Sequence, residues 1–383
     1  MSRSTSPASD GARRADRPTF RKRDAHRGST ELEALGLIWL AEAMDDGGAH
    51  VVPVTTGSGW LEEPRLRESG CTPAAAEAFG RALAVTHAAG AREHGAAPTG
   101  WSHPTGWMGS ADLPLRPGAD GAAGAPTSPG LRRWGEFYAE DRLLPYLPAA
   151  VRNGSMSTAG AAVVERVASR LADGDFDAPQ PGLLAARAGR DGLPHDASRV
   201  AARTHGDLWS GNVLWVPRSE VEDWAPGRAG LGPATAPASA AAATTTPEAG
   251  SRTGATTGGN AAGHGATRPG TRSADGPAAG TDVVGVLIDP AAQGGHAETD
   301  LAELAVFGQR HLDRVLAGYD EVSPLAGGWR ERIGLHQLHM VLIHAVLFGG
   351  SYGAETVSLA RRYAWAACLS PSRRRPAMHP STA

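Results

Sequence analysis

Residues 204–215 read THGDLWSGNVLW, and this stretch decides how the rest of the chain is read. His205, Asp207 and Asn212 stand in the spacing H-x-D-x-x-x-x-N. A carboxylate five residues ahead of a neutral amide suits group transfer to a hydroxyl: the carboxylate accepts the hydroxyl proton while the amide oxygen ligates a divalent cation. Alone, so short a motif also fits an ordinary Asx turn. The downstream context shifts the balance. Residues 283–288 form an apolar, β-like run that ends directly in Asp289-Pro290, which sets a second carboxylate at a strand end. Asn212 and Asp289 are 77 residues apart, but a 57-residue low-complexity segment lies between them, and removing it leaves 20, a plausible hairpin distance.

That segment, 225–281, has 48 of its 57 residues drawn from Ala, Gly, Pro, Ser and Thr, so almost nothing in it can bury an apolar face. It reads as a disordered insert at the tip of a hairpin whose strands are 212–217 and 283–288. Loop-closure entropy grows only logarithmically with length, so such an expansion is mild. A smaller insert runs over 116–130, and residues 1–18 read as a disordered tail. Around these interruptions, a strand-like piece covers 20–23. Thr30 and Glu33 have the spacing of a capping box that opens a helix over 30–44. Short strands are expected at 51–54 and 59–62, with a turn between them. Helices are expected over 73–89, 134–147, 159–172, 300–317 and 329–348. Strands gathered early and helices late point to an α+β chain, with a small lobe over 19–66 and a larger, mainly helical lobe over 67–383.

Composition narrows the function classes. The chain has 383 residues, 37 basic against 40 acidic and a net charge of −3, which argues against a dedicated nucleic-acid binder. No apolar run is long enough to span a membrane, and no secretory h-region is evident, so a cytoplasmic protein with no membrane partner is expected. Two cysteines, Cys71 and Cys368, exclude a disulfide scaffold and a four-cysteine zinc site. Of the basic residues 36 are arginine and one, Lys22, is lysine; asparagine occurs only at 153, 212 and 260. An ammonium and a guanidinium are not interchangeable where a compact charge must reach a phosphate, so the one lysine draws attention. It lies eleven residues before Glu33 at the start of the first expected helix. Lys22 also follows a basic tail, where one more solvated charge is the alternative, but its uniqueness and its spacing to Glu33 favour the functional reading. Glu33 also fits the acidic half of the capping box with Thr30, a role compatible with pairing to the lysine. Glu298 and Asp300 read as structural, holding the loop or capping the following helix. His336, His339 and His344 lie only partly on one helical face with no acidic partner nearby in sequence, so they read as core or pocket histidines rather than metal ligands.

The spacing of Asp207 and Asn212 matches the catalytic loop of protein kinases, with Gly206 in place of the arginine. More specifically, HGDLWSGN at 205–212 and LIDPAAQGGHAETDLAELAVFG at 287–308 resemble the fructosamine (ketosamine) kinase family, relatives of aminoglycoside phosphotransferases and choline kinases. GRALAVTHAAGA (80–91), WGEFYAEDRLLPYL (134–147) and LHQLHMVLIHAVLFGGSYG (335–353) support the resemblance. It implies a two-lobed protein-kinase-like fold, ATP and Mg²⁺ as cofactors, and transfer to the 3-hydroxyl of a small-molecule or protein-bound ketosamine, which leads to deglycation. It implies Asp207 as catalytic base, Asn212 and Asp289 as Mg²⁺ ligands, Lys22 on the ATP phosphates and Glu33 as its partner. The segment 59–63, ending in Glu63, is expected to meet adenine. Trp209 and His205 are expected on the substrate side, with Trp209 fitting a lobe interface equally well. A monomer is favoured.

One departure stands out. Family members carry two strands and a glycine-rich turn ahead of the lysine, whereas 21 residues precede Lys22 here and 1–18 offer no β pattern. The phosphate-covering loop is expected to be missing, through truncation or natural variation. Two other readings follow: a kinase of the same fold acting on an aminoglycoside- or choline-like alcohol, and an impaired pseudokinase serving as a binding module.

Overall fold

The computed structural model describes residues 17–118, 131–190, 193–222, 224 and 282–365. The expected inserts and tail therefore lie wholly or largely outside the described residues, as does Cys368. Strand β1 (Thr19–Arg23), helix α1 (Ser29–Ala41), β2 (His50–Val51), β3 (Thr55–Gly57) and β4 (Trp60–Pro64) come first. The antiparallel sheet they build has the order β1-β4-β3, so β4 is central. Lys22 pairs with Leu61 and Phe20 with Glu63, which puts Lys22 and Glu63 on the same face. The two strands expected over 51–54 and 59–62 are thus rearranged: the hairpin partner of β4 is β3, and β2 pairs elsewhere.

Helix α1 begins without the expected capping box. Its N-cap is Gly28, at φ 85°, and the first-turn donors turn instead to Asp24. The Asp24 carboxylate accepts from the Gly28 N–H at 2.8 Å, the Thr30 N–H at 2.9 Å and the Thr30 hydroxyl at 2.6 Å. An acceptor from the preceding turn satisfies the orphan donors, which leaves Glu33 free to face β1.

After the linker 65–72, α2 (Pro73–Ala88) starts under Thr72, whose hydroxyl accepts from the Ala75 N–H, with proline at the first turn. A hairpin that the sequence did not announce, β5 (Thr105–Met108) and β6 (Ala111–Pro114), follows. The helix expected over 134–147 is a composite: α3 (Trp134–Phe137) widens into a π-helical turn, Tyr138–Leu143, then a 3₁₀ turn, Leu144–Tyr146, and α4 (Leu147–Arg152). Pro145 and Pro148 each lack the N–H that a continuous α-helical ladder needs. Next come α5 (Thr158–Ala172), α6 (Gly182–Ala185), β7 (Ala202–Thr204), β8 (Val213–Pro217), β9 (Val283–Leu287) and β10 (Gln293–Gly295).

The last five helices are α7 (Ala297–Val306), α8 (Leu312–Val322), α9 (Trp329–His336), α10 (Leu338–Phe348) and α11 (Tyr352–Ala364). The expected 300–317 helix is two, because the chain turns at Gly308, φ 82°, and His311, φ 56°. The expected 329–348 helix survives as α9 and α10, whose junction, Gln337, keeps helical dihedrals.

Strands β8 and β9 pair antiparallel from Val213 opposite Leu287 to Pro217 opposite Val283, the hairpin that the spacing suggests. β2 lies parallel on the other side of β9. One core unites α1, the small sheet, α2 and the β8–β9 hairpin around Leu37, Leu61, Leu83 and Val286. A second fills the helical part around Leu143, Val164, Leu171 and Leu342. Where α2 crosses α8, a Cβ on Gly80 would sit 2.0 Å from the Val315 carbonyl oxygen, and one on Gly318 would sit 2.1 Å from that of Glu77. Only glycines permit so close a crossing. Among the described residues, no helix is long and apolar enough to cross a membrane.

Several histidines are core residues. His94 is buried, donates from Nε2 to the Ser198 carbonyl at 3.2 Å and stacks on Phe137. Burial pushes its pKa down to about 4. The unfolded chain binds a proton at this position below about pH 6.5. Stability contributed by neutral His94 is therefore present above that pH and lost as pH falls toward 4. Glutamine can keep the bond to Ser198 without titrating. The destabilisation caused by His94→Gln should shrink by about 1 kcal/mol per pH unit between 6.5 and 4.5 in urea unfolding. A pH-independent difference between the two proteins would contradict this account.

Candidate active site

Five elements bring charged groups together: β1, α1, β4, the loop 205–212 between β7 and β8, and the end of β9. The Lys22 ammonium donates to Glu33 Oε1 at 2.6 Å and to Asp289 Oδ1. Glu63 reaches toward the same point from β4. Burial works to lower the Lys22 ammonium, but Glu33, Glu63 and Asp289 outweigh it and hold it well above the usual lysine range. Three carboxylates around one ammonium leave an excess of negative charge. Burial pushes the Glu33 carboxyl up, with Asp289 and Glu63 adding and Lys22 opposing, and burial also pushes up Glu63.

The loop is held from beneath. Asp300, fully buried in the first turn of α7, accepts from the His205 N–H at 2.6 Å and the Gly206 N–H at 3.0 Å. Its Oδ2 also meets His87 Nε2 at 3.1 Å, and His87 Nδ1 meets the Tyr319 hydroxyl at 3.0 Å. One turn along α7, Glu303 accepts from the Leu208 N–H at 3.0 Å. Gly206 has φ 79°, and a Cβ there would lie 2.2 Å from the Ala291 carbonyl oxygen. Glycine is required at this point of the motif.

Asp207 then projects from a loop whose backbone is fixed on both sides. The Asn212 amide donates to the Asp207 carbonyl at 2.7 Å, to its Oδ2 at 3.1 Å and to the Asp289 carbonyl at 3.4 Å. All three partners are acceptors, so the Asn212 NH₂ group must face them, leaving Oδ1 available. Burial pushes the Asp207 carboxyl up to about 7; Asn212 works against this, while Asp289 and Asp300 add to it. A carboxylate titrating near neutrality has the pKa that general-base chemistry favours. Asp289 itself has φ 53°, an uncommon conformation for a non-glycine residue, and half of its side chain is exposed.

Other sequence-derived roles change. His205 is buried; its Nδ1 accepts from the Asp207 N–H at 3.3 Å and its Nε2 donates to the Ile288 carbonyl at 2.8 Å. Both ring nitrogens bind backbone, so His205 ties the loop to the end of β9 instead of facing a substrate. The segment 59–63 does not form a linker between the lobes. Trp60, Leu61 and Glu62 lie in the central strand, paired to β1 on one edge and β3 on the other, which leaves their backbone groups no free edge. The chain leaves the sheet over 65–72, where the Ser69 N–H donates to the Trp215 carbonyl at 2.6 Å. Glu63 contributes a carboxylate beside Lys22. Trp209 stays partly exposed, its ring edge-on to Phe307 at 5.7 Å and close over Gly211.

Glu303 escaped sequence reasoning, although its spacing of three from Asp300 puts both carboxylates on one helix face. The acidic partner that His336 lacks in sequence is supplied by the fold. His296, Glu298 and His336 are buried with ligand atoms within 4.8 Å of one another. Glu298 is already held by Arg332 through two bonds, at 2.8 Å and 2.6 Å. The His296 Nδ1 accepts from the Glu298 N–H, so its Nε2 carries the proton and is no ligand. Burial opposes ionisation of Glu298, but His336, His296 and Arg332 hold its carboxyl well below the usual range. This group is an ion-pair core beneath α7. By contrast, Asn212 Oδ1 and the Asp289 carboxylate are hard oxygen donors beside excess negative charge, a set that fits Mg²⁺.

A small sheet carrying a lysine–carboxylate pair, over a helical part that presents Asp207, Asn212 and Asp289, defines a protein-kinase-like fold of the small-molecule type. The description "Fructosamine kinase" belongs to the family model that matches residues 127–224 and 275–364, flanking most of the low-complexity insert. A solved structure of a candidate fructosamine-3-kinase from Thermobifida fusca is 32% identical with a TM-score of 0.59, covering 91% of this chain and 85% of that one. A second, from Haemophilus somnus, is 15% identical with a TM-score of 0.54 over 90% of this chain and 82% of that one, and shares the fold. The probable ketoamine kinase YniA of Escherichia coli K12 is 27% identical over 221 residues, 58% of this chain. The match spans 46% of that protein, and 28% of a probable ketoamine kinase from Enterococcus faecium. The chain belongs to the fructosamine kinase family.

Removing the buried anion beneath the loop should be severe. Asp300→Ala leaves the His205 and Gly206 N–H groups buried without acceptors and should lower stability by about 3–5 kcal/mol. Urea unfolding measures this directly; a loss below about 1 kcal/mol would mean that Asp300 does not hold the loop.

Proposed function

We propose that the protein transfers the γ-phosphoryl group of ATP to the 3-hydroxyl of a ketosamine, the Amadori product of a sugar and an amine. The observation that carries this reading is the Asn212 amide, which bonds at once to the Asp207 carboxylate and the Asp289 main chain, with Lys22 on the Asp289 side chain. Family membership supports the substrate class, and the relatives' names point the same way. In this reading Asp207 accepts the proton of the attacking hydroxyl as its oxygen bonds to the γ-phosphorus, and ADP leaves. Lys22, steadied by Glu33, meets the α- and β-phosphates. Mg²⁺, held by Asn212 and Asp289, would neutralise charge on the phosphates. Phosphoryl transfer depends mainly on positioning and charge, which accords with a loop fixed by backbone bonds to two helix carboxylates. Phosphorylation at O3 would lead to release of the sugar and so to deglycation, from a small or a protein-bound amine, in the cytoplasm.

The test is ADP release with a fructosyl-amine as acceptor. Asp207→Asn should lower kcat by a factor of about 10² to 10⁴. Equal rates in the two proteins would refute the assignment. Lys22→Arg keeps the charge but changes its shape, and should lower kcat/KM for ATP by about 10- to 100-fold in the same assay. Unchanged kcat/KM would remove Lys22 from the phosphate site.

A further inference from the structure

A line of aromatic rings leads away from the catalytic loop over the surface of the helical part. It starts at Trp209, whose main-chain N–H donates to the Asp207 carbonyl at 3.1 Å, so its backbone is tied to that of the proposed base. Trp209 meets Phe307 edge-on at 5.7 Å, Phe307 meets His344 at 5.1 Å, and His344 meets both Phe348, at 5.4 Å, and Tyr352, at 5.2 Å. The rings come from four separate pieces of chain: the loop, the turn after α7, the last turns of α10 and the start of α11.

Their exposure is what sets them apart. Phe307 is 39% exposed and Phe348 69% exposed, two of the six large apolar side chains that stand out of the described surface. Single exposed apolar residues are ordinary. Two joined through a histidine into one strip, which ends two residues from the proposed base, form a contiguous apolar surface, and such surfaces mark recognition sites. The strip's outer ring, Phe348, is mostly in solvent, whereas Tyr352 packs against the helical core. His344 donates from Nδ1 to the Met340 carbonyl at 2.8 Å, which fixes its ring as a flat face between the phenyl groups.

Resting on the function proposed above, we infer that Trp209, Phe307, His344, Phe348 and Tyr352 form a subsite for the amine-bearing portion of the acceptor, and that the protein favours ketosamines whose amine carries an aromatic or bulky apolar group. A ketosamine has two ends. Its sugar 3-hydroxyl must approach Asp207, while the amine sits on C1, two carbons away, so its substituent leaves the sugar close to the base and requires a surface of its own. The strip begins two residues along the chain from the base and runs to the exposed Phe348, which suits an extended substituent, including the N-terminal residue of a glycated peptide. Ring stacking recognises flat or bulky apolar groups without demanding one shape.

The experiment compares two acceptors with the same sugar, fructosyl-glycine and fructosyl-phenylalanine, in the wild type and in Phe348→Ser and His344→Ala. Phe348 is exposed enough that its serine variant should keep the fold, and a melting curve checks this. Wild type should have a kcat/KM for fructosyl-phenylalanine about five- to tenfold above that for fructosyl-glycine. Each variant should lose most of this preference through a higher KM for the aromatic acceptor, with kcat/KM for fructosyl-glycine unchanged. Equal values for the two acceptors in wild type, or a preference untouched by both variants, would overturn the subsite and leave the kinase reading standing. A loss shared equally by both acceptors would assign the strip a purely structural role and also overturn it. No turnover of either acceptor, with ATP hydrolysis or transfer to another alcohol detected, would overturn the ketosamine reading and the subsite with it.

Discussion

One buried carboxylate organises the chemistry. Asp300 has no exposure to water, and an isolated ionised acid there would be strongly disfavoured. Burial does press its pKa upward, but His87, His205 and the Gly206 N–H more than compensate and keep it below the ordinary range. The carboxylate therefore stays ionised because the loop wraps it, and the loop keeps its shape because the carboxylate is ionised. Neither exists without the other. The His87–Tyr319 pair extends the same network into α2 and α8, whose close crossing rests on Gly80 and Gly318. The position of Asp207 is thus anchored to this close helix crossing.

A division of labour among acids follows. Asp300 and Glu298 are held ionised by donors and cations; Asp207, Glu63 and Glu303 are pushed the other way by burial. The first group is structural, and its charges are matched inside the protein. The second lies beside or beneath the site, where negative charge is in excess. Acids with opposed shifts within one small volume are a signature of catalytic centres, and here the opposition arises from which carboxylates the helix donors and arginines reach.

Much of this was legible in residues alone. The D-x-x-x-x-N spacing, the apolar run into Asp289 and the lone lysine eleven residues before Glu33 are local or pairwise signals, and the hairpin arithmetic across the insert placed Asn212 near Asp289. Three things were not legible. The cap of α1 comes from Asp24, because an acceptor in the preceding turn competes with the Thr30–Glu33 box, and both satisfy the same rule. The fate of His205 depends on which backbone carbonyl β9 delivers, which no spacing encodes. The segment 59–63 looked like a linker because its central position in the sheet depends on pairing with both β1 and β3. Tertiary pairing, not propensity, decided each case.

The β8–β9 hairpin has one more consequence. Its ladder opens at Pro217 and Val283 and closes at Val213 and Leu287, beside the two residues proposed to hold the metal. Five cross-strand pairs therefore separate the working end from the open end. Chain added beyond the open end leaves and re-enters at neighbouring points, so its length exerts no leverage on the distance between Asn212 and Asp289. The hairpin acts as an insulator. A gene can lengthen, shorten or replace the intervening segment, or splice in a whole folded module, without retuning the catalytic geometry, and selection on that segment is free to follow needs unrelated to phosphoryl transfer.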